Sequence, residues 1–217
     1  MGVLDTKTLR HRVYDLISER IIQAQLVPGE KINLRTLSGE LGVSISPIRD
    51  ALLKLESEQA IILEANKRIL INQITSDEVD EIFDIRKLLE SRIIREACIV
   101  RPDSAIHQAR KYYDAMEVHL HDPKEYLIAN SNFHFFIYSF SGSKISIKYV
   151  RELWKRIAPY YSLHLTSRED CESDLMRHKI ILEAFEHKDP KKIVQALHDD
   201  ISGSKEFIKG ILIDYHA

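Results

Sequence analysis

The run Gly42-Val43-Ser44-Ile45-Ser46-Pro47-Ile48-Arg49-Asp50-Ala51-Leu52-Leu53-Lys54-Leu55-Glu56 constrains the fold more than any other stretch. It reads as a tight turn feeding a helix with one apolar and one polar face. Ser46 is placed to cap that helix by accepting from a backbone N–H. Pro47 suits its first position, where a missing N–H costs nothing. Ile48, Leu52 and Leu55 recur at i, i+4 and i+7 and form one buried stripe, with Arg49 and Lys54 off it. A shorter helix precedes it: Asn33 is the expected cap, Leu34, Leu37 and Leu41 share a face, and Gly39 and Gly42 supply the turn. Two short helices joined in this way are a helix-turn-helix, whose second helix can enter a major groove.

Upstream, residues 5–24 predict an amphipathic helix with Leu9, Val13, Leu16, Ile17, Ile21 and Ala24 inward, ended by Pro28-Gly29. Downstream, Ile61-Ile62-Leu63 and Ile69-Leu70-Ile71 are β-branched runs around a short polar segment, which predicts a hairpin wing with Lys67 and Arg68 at its tip. Gln73-Ile74-Thr75 reads as a linker, and Asp77, Glu78 and Asp80 suit the positive end of a helix dipole. Beyond it no strand pattern occurs. Six helices are expected, at about 77–100, 103–120, 123–140, 144–165, 169–187 and 190–214, the fourth kinked at Pro159. The fold class is mainly α: a winged helix-turn-helix over 1–72, a linker at 73–76 and an antiparallel helical bundle over 77–217.

No 18-residue apolar run and no signal-peptide layout occur, so a cytoplasmic protein is expected, without membrane contact. Cys98 and Cys171 lack metal-ligand spacing and fit reduced thiols. The formal charge of −2 divides into +1 over residues 1–72 and −3 over the rest. A DNA-binding protein needs only a local basic face, because each neutralised phosphate contributes through counterion release. Arg35, Arg49, Lys54, Lys67 and Arg68 would supply it.

The chemistry of the C-terminal half rests on histidines. Asn130 and His134 are four apart on one helix and can converge on one ion. His178 and His198 each sit beside apolar residues, which predicts inward-facing turns. Singly, each reads as a hydrogen-bonded core histidine. Together, three imidazoles and an oxygen on facing helices suit zinc, nickel or manganese with positions left open. Arg86 can grip a carboxylate with its planar fork, or simply pair with Glu90 at i+4. Tyr138, Tyr160 and Tyr161 read as core.

Two resemblances add to this. Pro28-Gly29-Glu30-Lys31-Ile32, Leu37-Ser38-Gly39-Glu40-Leu41-Gly42-Val43-Ser44 and Pro47-Ile48-Arg49-Asp50-Ala51-Leu52 together resemble the winged helix-turn-helix of GntR-type bacterial transcription regulators. The resemblance implies that Ser44, Ile45 and Ser46, entering the recognition helix, meet DNA. Where the family usually has Arg before Thr-Pro this chain has Ile45 and Ser46, and Gln59-Ala60 replaces a Gly-containing turn; the wing also lacks the family's glycine. Asn130-x-x-Phe133-His134, His178-x-x-Ile181-x-x-Ala184 and Ala196-Leu197-His198 are similar to the FCD domain of the FadR subgroup. Its metal-binding members use an Asp and three His there, so the resemblance implies ligands at Asn130, His134, His178 and His198, with Asn in place of Asp. It also implies an effector-facing arginine at Arg86, a small organic acid effector, a homodimer and a double-stranded operator. The expected function is a regulator, in the repressor sense, rather than an enzyme. A metalloenzyme and a metal-free regulator responding to an acyl ligand are the alternatives.

Overall fold

The computed structural model describes residues 9–65, 68–164 and 168–215. The chain opens with α1 (Leu9–Ile22), α2 (Leu34–Leu41) and α3 (Ile45–Ser57), followed by an antiparallel hairpin of β1 (Ile61–Leu63) and β2 (Ile69–Ile71). Ile61 pairs with Ile71 and Leu63 with Ile69, and an isolated bridge from Lys31 to Leu70 extends the wing on its other side. The remaining chain is helical: α4 (Ser76–Val100), α5 (Ala105–Val118), α6 (Pro123–Tyr138), α7 (Lys144–His164), α8 (Arg168–Glu186) and α9 (Pro190–Tyr215). The fold class is as expected, a winged helix-turn-helix followed by a helical domain.

Local chemistry sets most of the boundaries. Asn33 caps α2 by accepting from the backbone N–H groups of Arg35, at 2.9 Å, and Thr36. Gly42 takes the left-handed conformation at φ 63°, and its N–H closes onto Ser38. Two expectations change. Gly39 lies inside α2 and makes no turn. The recognition helix α3 starts at Ile45 with Ser44 as its extended N-cap, two residues before the expected start, and Ser44 makes no side-chain cap bond. Pro47 therefore sits third in the helix, a position whose N–H has no intrahelical partner in any case. Thr75 and Glu78 form a reciprocal capping box at the head of α4. The helix α7 continues through Pro159.

There are two apolar cores. Val13, Ile17, Ile21, Ile48, Leu52, Leu55, Ile61 and Ile71 fill the first. The second is built on α4, which packs against α6, α7 and α9. Leu9 and Leu16, expected inward, are half-exposed at 52% and 51%. Ile22 and Ala24 belong to the second core, so the end of α1 roots the winged domain in the helical one. The helix α7 lies against α1, and there Arg151 pairs with Glu19 at 2.5 Å. Lys155 donates to Tyr14 at 2.8 Å and pairs closely with Glu58. No helix among the described residues is long and apolar enough to cross a membrane.

Candidate metal centre and DNA-contacting surface

Asp122 caps α6 with Pro123 in its first turn, and the helix then carries Tyr126, Asn130, His134 and Tyr138 at four-residue steps toward the core. The ring of His134 faces that of His178 from α8, Nε2 to Nε2 at 2.8 Å, and both rings are buried. His178 Nδ1 lies 2.9 Å from the Asp174 carbonyl, which only accepts, so its proton sits on Nδ1 and Nε2 carries a lone pair. On the far side of His134, Nδ1 is 3.4 Å from the Tyr138 hydroxyl, whose own proton goes to Glu90. That hydroxyl oxygen accepts from Nδ1–H and leaves a second lone pair at Nε2. Two lone pairs this close need a proton or a cation between them.

Asp200 completes the group. Its Oδ2 is 3.7 Å from His134 Nε2, and its Oδ1 is buried without a hydrogen-bond partner. One ligand atom from each of His134, His178 and Asp200 lies within 4.8 Å of the others. Two nitrogens on tetrahedral zinc stand about 3.3–3.4 Å apart, since Zn–N bonds are about 2.0–2.1 Å, so the rings need part by only about half an ångström to hold it. The donor set therefore fits a borderline divalent metal, with the tautomers already set by the Asp174 carbonyl and Tyr138. Burial, His178 and Arg86 hold the His134 pKa well below its ordinary value, which keeps this ring a neutral ligand.

Around the group, Asp174 accepts from Tyr126 at 2.8 Å, from Arg177 at 2.8 Å and from the Asn130 amide at 3.2 Å. Burial raises the Asp174 pKa, but His178 and Arg177 outweigh it and hold the group below the usual carboxylate value. Asp200 goes the other way: burial raises it, and the neighbouring Asp174 adds to that against His178 and Arg177. A metal would draw Asp200 into its ionised form.

Of the expected ligands, His134 and His178 come together, and Asn130 lines the same small cavity. His198 does not join them. Its Nε2 meets Ser91 Oγ at 2.7 Å, on the side of α9 facing α4. Along α9 the buried stripe runs Ile193, Ala196, Leu197, Asp200, Ile201, and two residues of helix carry Asp200 well around the axis from His198. An acid on an apolar stripe was the signal available in the sequence.

Arg86 is buried and committed. It donates to Glu90 through Nε at 2.6 Å and to the Tyr161 hydroxyl at 2.9 Å. Glu90 also accepts from Tyr138 at 2.6 Å and from the Trp154 indole at 3.2 Å. Arg86, Trp154, Tyr161 and Ser204 share with His134, Asp174 and Asp200 a cavity of about 10 Å³. That is room for one water or one ion, and not for an organic acid or an acyl chain. Trp154 had no assigned role in the sequence, and Tyr161 was expected in the core.

On the winged domain, Arg35, Ser44, Ser46, Arg49 and Arg68 are exposed and Ile45 is half-buried. Lys67 lies outside the described residues. Lys54 is also exposed but engaged within the winged domain, with Nζ 3.6 Å above the Tyr14 ring and 4.0 Å from Glu58.

A winged helix-turn-helix with an exposed basic recognition face, rooted in a helical domain with a buried imidazole–carboxylate group, defines a two-domain DNA-binding regulator. Residues 9–71 match the bacterial regulatory proteins of the gntR family, and residues 81–203 match the FCD domain. The chain belongs to the GntR family and carries an FCD domain. It is 28% identical over 201 residues to the gluconate operon transcriptional repressor of Bacillus licheniformis, covering 86% of this chain and 81% of that one. It is 25% identical over 194 residues to the HTH-type transcriptional regulator McbR of Escherichia coli (strain K12), covering 87% of each. The solved structure of E. coli McbR/YncC superposes with a TM-score of 0.83 at 21% identity, over 98% of this chain and all of the other. Members of this family are transcriptional regulators that bind operator DNA, which leaves the metalloenzyme alternative without support from the relatives.

Proposed function

We propose that this regulator is a homodimeric repressor whose operator affinity depends on a divalent metal, zinc, nickel or manganese, held by His134, His178 and Asp200 with Asn130 beside them. The observation that carries this reading is the facing Nε2 pair next to a buried Asp200 oxygen that makes no hydrogen bond, with Arg177 Nε 3.7 Å from it. The metal, when bound, supplies positive charge and open positions for an oxygen ligand. Relatives named as repressors of a gluconate operon support the direction of regulation.

A small carboxylate effector is the second element of the proposal. Arg86 would receive it, and the tightness of the cavity means that entry must part α7 from α4 and α6. The effector's influence is then mechanical. Trp154 packs 5.5 Å from the His134 ring and donates to Glu90, while the next residue, Lys155, reaches Tyr14 and Glu58 of the winged domain. A shift of α7 moves the reading head, by no more than the effector's differential affinity for the two arrangements. Dimerisation is supported by exposed apolar side chains on two helices that pack together: Leu88 and Ile99 on α4, Ile145 and Tyr149 on α7. Two largely separate cores, with Ile22 and Ala24 crossing between them, support a domain division at 72 and 77, and the family's work on DNA supports a cytoplasmic location.

The test is selection of randomised duplex DNA by the purified protein, followed by titration of the recovered site with zinc and with a chelator. A palindromic site whose affinity changes on chelation supports the whole reading. A palindrome indifferent to chelation keeps the regulator and removes the metal from its control.

A further inference from the structure

The recognition helix α3 buries Pro47, Ile48, Ala51, Leu52 and Leu55 and turns Ser46, Arg49 and Leu53 outward. Leu53 is 54% exposed, a large apolar side chain at the C-terminal end of the outward face that carries Ser46 and Arg49. Ser46, Arg49, Asp50 and Leu53 stand at i, i+3, i+4 and i+7. Homeodomain recognition helices read base edges with four side chains at this same spacing. Asp50 is drawn aside by Arg10, whose Nε lies 2.9 Å from its carboxylate. That leaves Ser46, Arg49 and Leu53 to meet the groove.

We infer that Leu53 is a specificity-determining residue that reads thymine through its 5-methyl group. In the major groove only thymine offers an apolar patch, and an aliphatic side chain has no hydrogen bond to give the other bases. Arg49, one turn earlier on the same face, carries the complementary polar contact, suited to guanine O6 and N7. Each half-site should therefore hold a thymine within a few base pairs of a guanine, the two set apart by the rise of one helical turn, about 5.4 Å. Ile45, half-buried where the family usually has arginine, makes the head of this helix more apolar still and puts more of the discrimination on Leu53.

The inference needs only that α3 reads DNA, not that a metal or effector acts. The experiment starts from the selected site and replaces its thymines one at a time by deoxyuridine, which removes the methyl and nothing else. Binding is followed by fluorescence anisotropy for the wild type and for Leu53→Ala. At one position per half-site the wild type should lose about fourfold in affinity, the value of one buried methyl. Leu53→Ala, with unchanged circular dichroism because the side chain packs on nothing essential, should be indifferent there. A wild type insensitive at every thymine, a variant as sensitive as the wild type, or a selection that enriches no thymine would each overturn the inference.

Discussion

His134 and His178 present Nε2 to Nε2 at 2.8 Å, with His134 on the wall of a cavity that has room for a single ion. Each ring is held from behind, one by the Tyr138 hydroxyl and one by the Asp174 carbonyl, so neither can turn away without giving up a buried hydrogen bond. With burial opposing a charged His134, the proposed divalent cation between the rings would satisfy both lone pairs.

Substituting His134, His178 or Asp200 by Ala should weaken zinc binding by more than the roughly 10–100-fold typical of outer-shell partners. His198→Ala should leave it unchanged, because that ring is occupied with Ser91. Isothermal titration at fixed pH distinguishes these. In the wild type, zinc at about 100 times its Kd should add about 2.7 kcal/mol to stability, read as a rise in Tm. Equal zinc affinity in the His134 and His198 variants would remove the assignment.

Glu90→Gln should be costly. The buried Arg86 guanidinium, held protonated by this carboxylate against the cost of its burial, would keep its charge and lose its compensating partner. Breaking one side of such a pair costs about 3–5 kcal/mol. Denaturant melts measure it. A loss under about 1 kcal/mol would mean that the structure readily supplies Arg86 with another partner. An effector carboxylate would then compete for Arg86 with little penalty.

What was legible in the sequence was what local rules decide. The Asn33 cap, the left-handed Gly42 and the Ile48, Leu52, Leu55 stripe depend on residues within two turns of one another, and all three are found. The start of α3 was misplaced because Pro is tolerated anywhere in a first turn, so Pro47 marks the turn without marking its first residue. The buried imidazole–carboxylate group was half legible. His134 and His178 were read from spacing, while Asp200 was passed over for the histidine two residues before it, although helical phase favoured the acid. The seat of Lys54 over the Tyr14 ring had no local signal, since it depends on Tyr14 arriving from α1.

Gln59 marks a place where a departure from the family has a cost. It holds φ at 57°, in the left-handed region, directly after α3, while its carbonyl accepts from Asn72 at 2.8 Å. A side chain there costs roughly 1–2 kcal/mol that glycine avoids, offset in part by the extra freedom of glycine in the unfolded chain. Gln59→Gly should therefore stabilise the protein by about 0.5–1 kcal/mol, with operator binding unchanged. A drop in Tm would show that the Gln59 side chain makes compensating contacts.

The junction between the domains should behave as a coupled pair. Lys155 is 1% exposed and faces Tyr14 and Glu58; burial lowers its pKa and Glu58 opposes that. Glu58→Gln alone would strand the ammonium, and Lys155→Met alone would leave the carboxylate with Tyr14 and the more distant Lys54. Each single change should cost more than the pair made together, with a coupling energy of about 1–3 kcal/mol in a double-mutant cycle. The double variant separates stability from signalling. It should retain wild-type zinc affinity, since His134, His178 and Asp200 are untouched, while the ratio of operator affinities with and without zinc falls toward one. A ratio equal to that of the wild type would mean that the message reaches the reading head by another route, such as Arg151–Glu19 or the root of α1 in the second core.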